Sequence, residues 1–191
     1  MLHAAPLNKV AANLRYHVKA EGATISGRID VAQRLKRRGT MLYKLDREPT
    51  MLLTQMADIG GVRVRLPSLR QVSAVSRRLK KTWTIVKTRD YIDGPKDSGY
   101  RALHHIVKRD GRLIEVQLRT ALQDAWANQV EDDGRKLGVG FKFGVGNPEI
   151  HDYYRMMSDV FAAMDAGKPL APELIARLNS QFKRIRHELG R

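Results

Sequence analysis

A tight β-hairpin is the feature that most constrains how this chain can fold. Two strand-like runs, 102–108 and 112–119, flank the dipeptide Asp110-Gly111. Asp-Gly between two such runs is a strong signal for a two-residue turn that joins antiparallel strands. The sequence therefore predicts a hairpin here. Its two-residue turn fixes which residues of the two strands lie opposite each other.

The second strand of the hairpin has two chemically different faces. One face is apolar and carries Ile114, Val116 and Leu118. The opposite face carries Leu113, Glu115, Gln117 and Arg119. This spacing of two is typical of a half-buried strand. The polar row is either a solvent-exposed face of the strand or part of a functional site. The residues of the neighbouring segments distinguish these two alternatives.

Helices and strands follow one another along the rest of the chain. Apolar spacing and capping residues predict helices over 8–20, 31–38, 50–56, 68–79, 120–133, 148–166 and 172–189. Further strands are predicted over 59–66 and 83–88. This mixture indicates an α+β fold in which helices flank a mixed β-sheet. We expect a single domain over 1–191, with a core of about 20–133, a glycine-rich loop over 134–147 and C-terminal helices over 148–191.

Charge and composition narrow the class of protein. The chain has 35 Lys and Arg residues against 20 Asp and Glu, a formal net charge of +15. It has no cysteine, which excludes disulfides and thiolate zinc sites. No apolar run is long enough to span a bilayer, and the first residues lack the pattern of a secretory signal. We therefore expect a cytoplasmic protein whose partner is a polyanion, such as a nucleotide or a nucleic acid.

The cations are concentrated in two runs. The first consists of Arg34, Lys36, Arg37, Arg38, Lys44 and Arg47. The second consists of Arg77, Arg78, Lys80, Lys81, Lys87 and Arg89. Either run could be an ordinary solvated helix face, so neither selects a partner by itself.

The loop before the hairpin brings further chemistry towards the polar row. The segment DYIDGPKDSGYRALHHIV contains Lys96, Tyr100, His104 and His105. Successive residues of a strand point to opposite faces, so only one of the two histidines can join the row. A cation, an aromatic ring, an imidazole and a carboxylate on one surface suit a nucleotide, because cations bind phosphate and a ring stacks on a base.

A second carboxylate lies at the start of another predicted strand. Asp58 begins the segment DIGGVRV, in which Gly60 and Gly61 allow close backbone approach. By itself Asp58 could be a turn residue, but together with Glu115 it could hold Mg²⁺, which takes one or two carboxylates plus substrate phosphates. Neither a Gly-x-x-x-x-Gly-Lys-Ser/Thr phosphate loop nor a His-Glu-x-x-His zinc motif is present.

Three segments together closely resemble the synthetase domain of the RelA/SpoT alarmone synthetases. They are DIGGVRV, DYIDGPKDSGYRALHHIV and IEVQLRTALQDAWA, within a resemblance that runs from about Gly27 to Val130. The resemblance implies transfer of pyrophosphate from ATP to a ribose 3′-hydroxyl with Mg²⁺, on the family's mixed sheet, which is akin to that of nucleotidyltransferases. It also implies a stand-alone small synthetase, since the chain has no room for the hydrolase half of the long bifunctional members.

The resemblance also implies roles for individual residues. Asp58 and Glu115 would hold the metal, and Glu115 would help to activate the 3′-hydroxyl. The residues that would bind ATP are Arg28, Arg38 and Arg63. The residues that would bind the acceptor are Lys96, Tyr100, His104, Gln117 and Arg119, with Tyr100 stacking on its base. One departure concerns the ATP segment, where Asp30 of GRID stands at the position of a lysine that is frequent in the family.

The motifs do not select the acceptor. Toxin members of the family modify the 3′-terminal adenosine of tRNA, which blocks translation, and pair with an antitoxin protein; others make adenine alarmones. Small housekeeping members use GDP or GTP and make the alarmone (p)ppGpp of the stringent response. The charge of +15 favours tRNA, because counterion release rewards a broad basic surface.

Two further points bear on the acceptor. The expected tRNA patch consists of Arg77, Arg78, Lys80 and Lys81. A module without catalysis, which binds RNA or a protein partner on the same scaffold, is a third alternative. The only feature that supports this third alternative is Asp30. The two carboxylates expected to bind the metal, Asp58 and Glu115, are both present.

Overall fold

The computed structural model describes residues 3–141 and 145–190. Its helices are α1 (Ala4–Ala20), α2 (Arg38–Arg47), α3 (Leu69–Thr82), α4 (Ala121–Lys136), α5 (Pro148–Asp165) and α6 (Pro172–Ile185). Its strands are β1 (Asp30–Leu35), β2 (Gly60–Leu66), β3 (Ile85–Asp90), β4 (Leu103–Arg109) and β5 (Arg112–Thr120). The chain divides into two compact units. The first contains the described residues up to Arg89 and Leu103–Arg119, and the second contains Asp90–Ala102 and the described residues from Thr120 onward.

The first unit is built on a five-stranded sheet in the order β1-β2-β5-β4-β3. Strand β1 pairs antiparallel with β2, and β4 pairs antiparallel with β5. The turn between β4 and β5 has φ angles of +49° at Asp110 and +74° at Gly111. Positive φ at both central residues matches the twist of the turn to that of the strands, which is why Asp-Gly is favoured there. The predicted hairpin and the predicted α+β class are confirmed.

The two faces of this sheet differ in what covers them. One face is apolar, and its buried side chains include Val62, Val64, Ile114, Val116 and Leu118. Helices α1 and α3 lie on that face, and they contribute Leu14, Val75 and Leu79 as fully buried residues. Burial of each aliphatic side chain stabilises the fold by roughly 1.5–3 kcal/mol. This apolar layer therefore fixes which face of β5 is left for the polar row.

The predicted helix over 31–38 is wrong. Residues Asp30–Leu35 form the edge strand β1, with Val31 opposite Val64 and Gln33 opposite Val62. The helix begins only at Arg38 and runs through Gly39, where the sequence predicts a helix end. A short run with few apolar residues has no clear period, and here the backbone hydrogen-bonding groups of β2 decide its conformation.

The predicted helix over 50–56 is reduced to a 3₁₀ turn at Leu53–Gln55. Leu52 and Leu53 are 63% and 51% exposed, so no buried apolar face supports a longer helix. Isolated helical turns are unstable without such packing, because the first turn costs more conformational entropy than its hydrogen bonds return.

The second unit is an aromatic core surrounded by α4, α5 and α6. Trp126, Phe141 and Tyr154 are buried, and the Trp126 indole nitrogen donates a hydrogen bond of 2.8 Å to the Tyr154 carbonyl oxygen. Phe141, which is 2% exposed, anchors the predicted glycine-rich loop in this core, and α4 continues into that loop as far as Lys136. The predicted C-terminal helices are present. Residues 142–144 of the loop lie outside the described part of the chain.

Within the part of the chain that the structure describes, no helix is both long enough and apolar enough to cross a membrane. The grouping into two units does not test whether 1–191 acts as one domain, so that organisation stays a prediction.

Candidate active site

The polar face of β4 and β5 brings together the residues that the sequence predicts there. His104 lies directly opposite Gln117 across the two strands, and Ile106 lies opposite Glu115. Residues directly opposite in an antiparallel pair project from the same face. Glu115, Gln117 and Arg119 therefore share one face of the sheet with His104.

These four side chains form a continuous hydrogen-bonded row. The His104 Nδ1 atom lies 2.9 Å from Glu115 Oε1, and Gln117 Nε2 donates to Glu115 Oε2 over 2.7 Å. Arg119 in turn donates to Gln117 Oε1 over 2.8 Å. Both carboxylate oxygens of Glu115 are thus held, and the side chain is only 12% exposed. The row fixes the position of an acidic group in a largely buried setting.

Glu115 is held in its ionised form. Burial by itself would raise its pKa, but the hydrogen bond and charge of His104, the hydrogen bond from Gln117 and the charge of Arg89 outweigh burial. The pKa of Glu115 is lowered from 4.5 to about 2. At neutral pH this side chain therefore offers anionic oxygens, which suit a metal ion or a hydroxyl donor, and it has little affinity for a free proton.

We expect this lowered pKa to appear as a loss of stability in acid. The Glu115 contribution is complete above the unfolded-state pKa of about 4.5 and is lost as the pH falls towards about 2. A shift of this size corresponds to about 3 kcal/mol in the free energy of unfolding. Urea unfolding between pH 5 and 2, compared for the wild type and Glu115→Gln, isolates this contribution because glutamine does not titrate. Parallel pH profiles for the two proteins would contradict it.

His105 lies on the other face of the sheet. Its ring nitrogens lie 2.9 Å from Ser76 Oγ on α3 and 3.0 Å from Thr88 Oγ1 on β3, and the residue is fully buried. Of the two adjacent histidines, the one on the Glu115 face is His104, and His105 belongs to the packing between the sheet and α3.

Asp58 lies between two lysines. Lys36 Nζ contacts Asp58 Oδ2 at 2.5 Å, and Lys44 Nζ contacts Asp58 Oδ1 at 3.2 Å. Partial burial would raise the pKa of Asp58, but the hydrogen bonds and charges of Lys36 and Lys44 lower it. Asp58 is therefore a second ionised carboxylate, with two ammonium groups beside it.

The packing of Gly60 connects Asp58 with the Glu115 row. A Cβ atom at Gly60 would lie 2.7 Å from the Ile114 Cδ1 atom, so a larger residue there would require the Ile114 side chain to shift. Asp58 precedes Gly60 by two residues, and Glu115 directly follows Ile114. The start of β2 and the middle of β5 are thus neighbours, and Asp58 and Glu115 each lie within two residues of this contact along the chain.

The predicted ATP-binding residues occupy different positions on the first unit. Arg63 lies on the polar face of β2, and Arg38 is the first residue of α2. Arg28 precedes Asp30, which pairs with Arg65 at the far end of β1 and β2 from Asp58. Lys36 lies six positions after Asp30, roughly 20 Å away along an extended chain. The structure therefore does not bring Arg28 to the Asp58 cluster, and the Asp30 departure also lies away from it.

Three cations near Asp58 were not predicted as site residues, namely Lys36, Lys44 and Arg34. The two lysines contact Asp58, and Arg34 lies opposite Gly61, where a Cβ atom would meet open space. All three belong to the first basic run. The concentration of cations in this run was visible in the sequence. The wrong helix over 31–38 gave incorrect positions for Arg34 and Lys36, and no prediction placed Lys44.

Lys96 and Tyr100 lie in the loop Asp90–Ala102 of the second unit. The Lys96 ammonium lies 4.7 Å from the centre of the Tyr91 ring and 5.3 Å from that of Tyr100. The two tyrosine rings meet edge to face, with centres 5.8 Å apart. A cation over aromatic faces is a favourable contact. The loop thus presents a positive charge and two rings together, and its role towards the acceptor stays a prediction.

The four residues of the expected tRNA patch all lie on α3. Arg77, Lys80 and Lys81 are exposed, whereas Arg78 contacts Glu21 at 3.3 Å and His17 at 3.2 Å on the side of α1. Helix α3 covers the apolar face of the sheet, as its contact with His105 shows. The patch is therefore on the opposite side of the sheet from the Glu115 row.

The carboxylates of Asp58 and Glu115 fit a metal ion that also takes phosphate oxygens of a substrate as ligands. Within residues 3–141 and 145–190, no group of three or more His, Cys, Asp or Glu side chains is arranged to hold a metal. Mg²⁺ does not require such a cage, since one or two carboxylates and substrate phosphates are its usual ligands. Asp58 and Glu115, both ionised, are suitable carboxylates for it.

A family model and curated relatives match the part of the chain that carries these residues. The model described as a region found in RelA / SpoT proteins matches residues 33–134. An uncharacterized protein of Mycobacterium tuberculosis is 32% identical over 116 residues, 59% of this chain and 42% of that protein. The GTP pyrophosphokinase YjbM of Bacillus subtilis is 32% identical over 109 residues, 51% of this chain and 52% of its own length. The matched part therefore spans about half the length of these relatives.

Solved structures agree on the fold. Small alarmone synthetase 1 from Bacillus subtilis, bound to its product pppGpp, superposes with a TM-score of 0.69 at 24% identity, covering 85% of this chain and 90% of that one. A GTP pyrophosphokinase family protein from Streptococcus pneumoniae gives a TM-score of 0.69 at 24% identity, with 84% of each chain covered. The match of the family model to more than half of the chain, which includes Asp58 and Glu115, shows that the chain belongs to the RelA/SpoT family.

Proposed function

We propose that this protein is a pyrophosphokinase that transfers pyrophosphate from ATP to the 3′-hydroxyl of GDP or GTP and so makes (p)ppGpp. The observation that carries the proposal is the hydrogen-bonded row of His104, Glu115, Gln117 and Arg119, with an ionised glutamate, in a member of the RelA/SpoT family. The matched relative from Bacillus subtilis is named a GTP pyrophosphokinase, which supports a guanine nucleotide as acceptor.

The reaction consists of one displacement at phosphorus. The 3′-oxygen of the acceptor bonds to the β-phosphorus of ATP, the bond from that phosphorus to the oxygen of the α-phosphate breaks, and AMP leaves. The hydroxyl loses its proton to solvent water in the process, so the step gives pyrophosphorylated acceptor, AMP and one proton. Phosphoryl-type transfer needs little covalent help from the protein, so the side chains act mainly by positioning and charge stabilisation.

The geometry gives each side chain near the row a distinct role. Glu115 would accept a hydrogen bond from the 3′-hydroxyl and orient it, because a carboxylate with a pKa of about 2 is a weak base but a good acceptor. Gln117 and His104 hold Glu115 in place. Lys36 and Lys44, which contact Asp58, would bind the ATP phosphates together with Arg63. Lys96 would bind acceptor phosphate, and Tyr100 would stack on the base.

Asp58 and Glu115 would hold Mg²⁺ with the ATP phosphates. When bound, the ion neutralises negative charge on those phosphates. Asp58 would then exchange its lysine contacts for the ion, which would leave both ammonium groups available for phosphate.

We do not propose tRNA as the acceptor, although the net charge favours it. The curated relatives include GTP pyrophosphokinases, which support a guanine nucleotide and not tRNA as the acceptor. The exposed cations of the expected tRNA patch lie on α3, across the sheet from Glu115. A basic surface there would draw polyanions to the protein without directing them to the row.

The test offers one labelled donor to competing acceptors. ATP labelled in its β-phosphate is incubated with the protein and Mg²⁺ in the presence of GDP, GTP, adenine nucleotides or bulk tRNA. We expect label in guanosine tetra- and pentaphosphate and release of AMP in equal amount. Label that appears on tRNA, or on an adenine nucleotide in preference to GDP and GTP, would overturn the choice of acceptor. Absence of label from every acceptor would overturn the pyrophosphokinase itself.

Charge reversal on α3 gives an independent test of the acceptor. The variant changes Arg77, Lys80 and Lys81 to glutamate and leaves Arg78, which contacts α1, untouched. We expect the kcat and KM for GDP to remain close to the wild-type values, because these cations lie across the sheet from Glu115. Weak binding of RNA to the wild type should decrease in the variant, along with its salt dependence. A large loss of turnover with GDP in the variant would show that α3 contributes to the active site, and the prediction would be wrong.

A further inference from the structure

The loop Asp90–Ala102 is held in place by α5, a helix that lies outside all the motifs described above. Ser158 of α5 donates a hydrogen bond of 2.5 Å to the Gly99 carbonyl oxygen. Arg101 donates to Ser158 Oγ over 3.1 Å, to Asp159 Oδ1 over 2.9 Å and to the Ile92 carbonyl oxygen over 3.1 Å. One serine hydroxyl and one guanidinium thus connect both ends of the loop to the same turn of α5.

The contact at Gly99 leaves little space for a side chain. Gly99 has φ of +89°, and a Cβ atom there would lie 3.1 Å from Ser158 Cβ and 3.2 Å from Arg155 Cα. Glycine tolerates this backbone conformation without strain. The loop backbone therefore lies directly against α5, and Ser158, which is 3% exposed, has its polar partners within the loop.

The same anchor determines where the acceptor-binding side chains point. Gly99 donates from its amide to the Lys96 carbonyl oxygen over 2.7 Å, and Lys96 donates from its amide to the Tyr100 carbonyl oxygen over 3.2 Å. The Tyr100 ring meets Trp126 of α4 edge to face, with centres 6.3 Å apart. A shift of Gly99 would therefore be transmitted to Lys96 and Tyr100, which lie within three residues of it.

We propose that Ser158 and Arg101 are positioning residues that set the affinity for the acceptor nucleotide by fixing the loop that carries Lys96 and Tyr100. This inference rests on the proposed function, which assigns binding of the acceptor to Lys96 and Tyr100 of this loop. Helix α5 thereby pre-organises one substrate-binding loop, so that binding of the acceptor does not have to order it. Ordering a loop during binding reduces affinity, and pre-organisation avoids that cost.

The test is the variant Ser158→Ala, with Arg101→Lys as a second probe. Removing the hydroxyl leaves the buried Gly99 carbonyl and the Arg101 guanidinium without this partner, and such a loss weakens an interaction by about tenfold or more. We expect KM for GDP and GTP to rise about tenfold, with kcat and KM for ATP little changed. Arg101→Lys keeps the charge but cannot make all three contacts. We therefore expect a smaller rise in KM for GDP and GTP in this variant, again with kcat and KM for ATP little changed.

Ser76→Ala is the matched control. Ser76 is also a buried helix serine that bonds across to another element, but its partner is His105 and not the loop. Both alanine variants should lower the free energy of unfolding, and only Ser158→Ala should change the acceptor KM. Equal effects of the two variants on that KM would show that Ser158 contributes only to general stability, and the proposal would be wrong.

Hydrogen exchange provides a readout that does not depend on activity. In Ser158→Ala the amides of Lys96 and Gly99 should exchange faster than in the wild type, because their hydrogen bonds belong to the anchored loop. Unchanged exchange over 90–102 would overturn the anchor. If the wild type labels no acceptor while the exchange rates change as expected, the anchor stands and the proposed function fails.

Discussion

Glu115→Gln should abolish pyrophosphate transfer while leaving the protein folded. The substitution keeps the shape of the side chain, but it removes the negative charge that His104 and Gln117 hold in place. A neutral amide can neither bind a metal ion well nor orient the acceptor hydroxyl as a carboxylate does. We expect kcat to fall by roughly 10³-fold or more, the effect seen when a central electrostatic group is lost from an active site.

The measurement is a steady-state assay with ATP and GDP, together with circular dichroism and thermal unfolding to confirm the fold. Glu131→Gln serves as the matched control, since Glu131 is an exposed glutamate on α4 and undergoes the same loss of charge. The control should keep wild-type turnover. Turnover of Glu115→Gln at the wild-type rate would remove Glu115 from the reaction, and with it the hydrogen-bonded row as the basis of the proposed function.

Asp58→Asn has the second largest expected effect, and it should reduce both activity and stability. Lys36 and Lys44 would lose the carboxylate that lies between them, which leaves two cations close together. We expect the free energy of unfolding to fall by about 1–2 kcal/mol. Activity should fall by about 10²-fold or more, because the loss of metal-mediated charge stabilisation costs several kcal/mol in the transition state.

The chain offers a close control for this variant in Asp110→Asn. Asp110 also pairs with a lysine, Lys9, at 2.8 Å, but that pair is exposed on the hairpin turn. Exposed pairs contribute at most about 1 kcal/mol, and asparagine accepts the positive φ of the turn. Asp110→Asn should therefore keep turnover and most of the stability. If Asp58→Asn retained full activity at saturating Mg²⁺, Asp58 would be a structural partner of the two lysines and not a metal ligand.

Much of the hydrogen-bonded row could be predicted from the sequence because strand geometry is local. The alternation in 112–119 places Glu115, Gln117 and Arg119 on one face, and the Asp-Gly turn fixes the pairing with 102–108. The cap residues Ser68 and Thr120 mark the starts of α3 and α4 for a similar reason, since each accepts a hydrogen bond from an amide three residues later.

The basic segment 31–38 could not be predicted in the same way. Its residues have no dominant period, and their conformation depends on pairing with β2, which is distant in the sequence. The consequence was functional as well as structural. The predicted helix would place Lys36 by helical spacing, whereas in the structure Lys36 directly follows strand β1 and contacts Asp58 together with Lys44 of α2.

Local preferences were enough to predict the hairpin, the α+β class and the chemistry of the polar row, because turn geometry and side-chain alternation act over a few residues. Other contacts required the folded chain. Two lysines lie against Asp58 in the first unit, and Ser158 holds the loop of Lys96 and Tyr100 in the second. Neither set of contacts lies within a single local sequence pattern. The packing of α1 and α3 on one face of the sheet, and of α5 against the loop, selects them, and no local pattern encodes that packing.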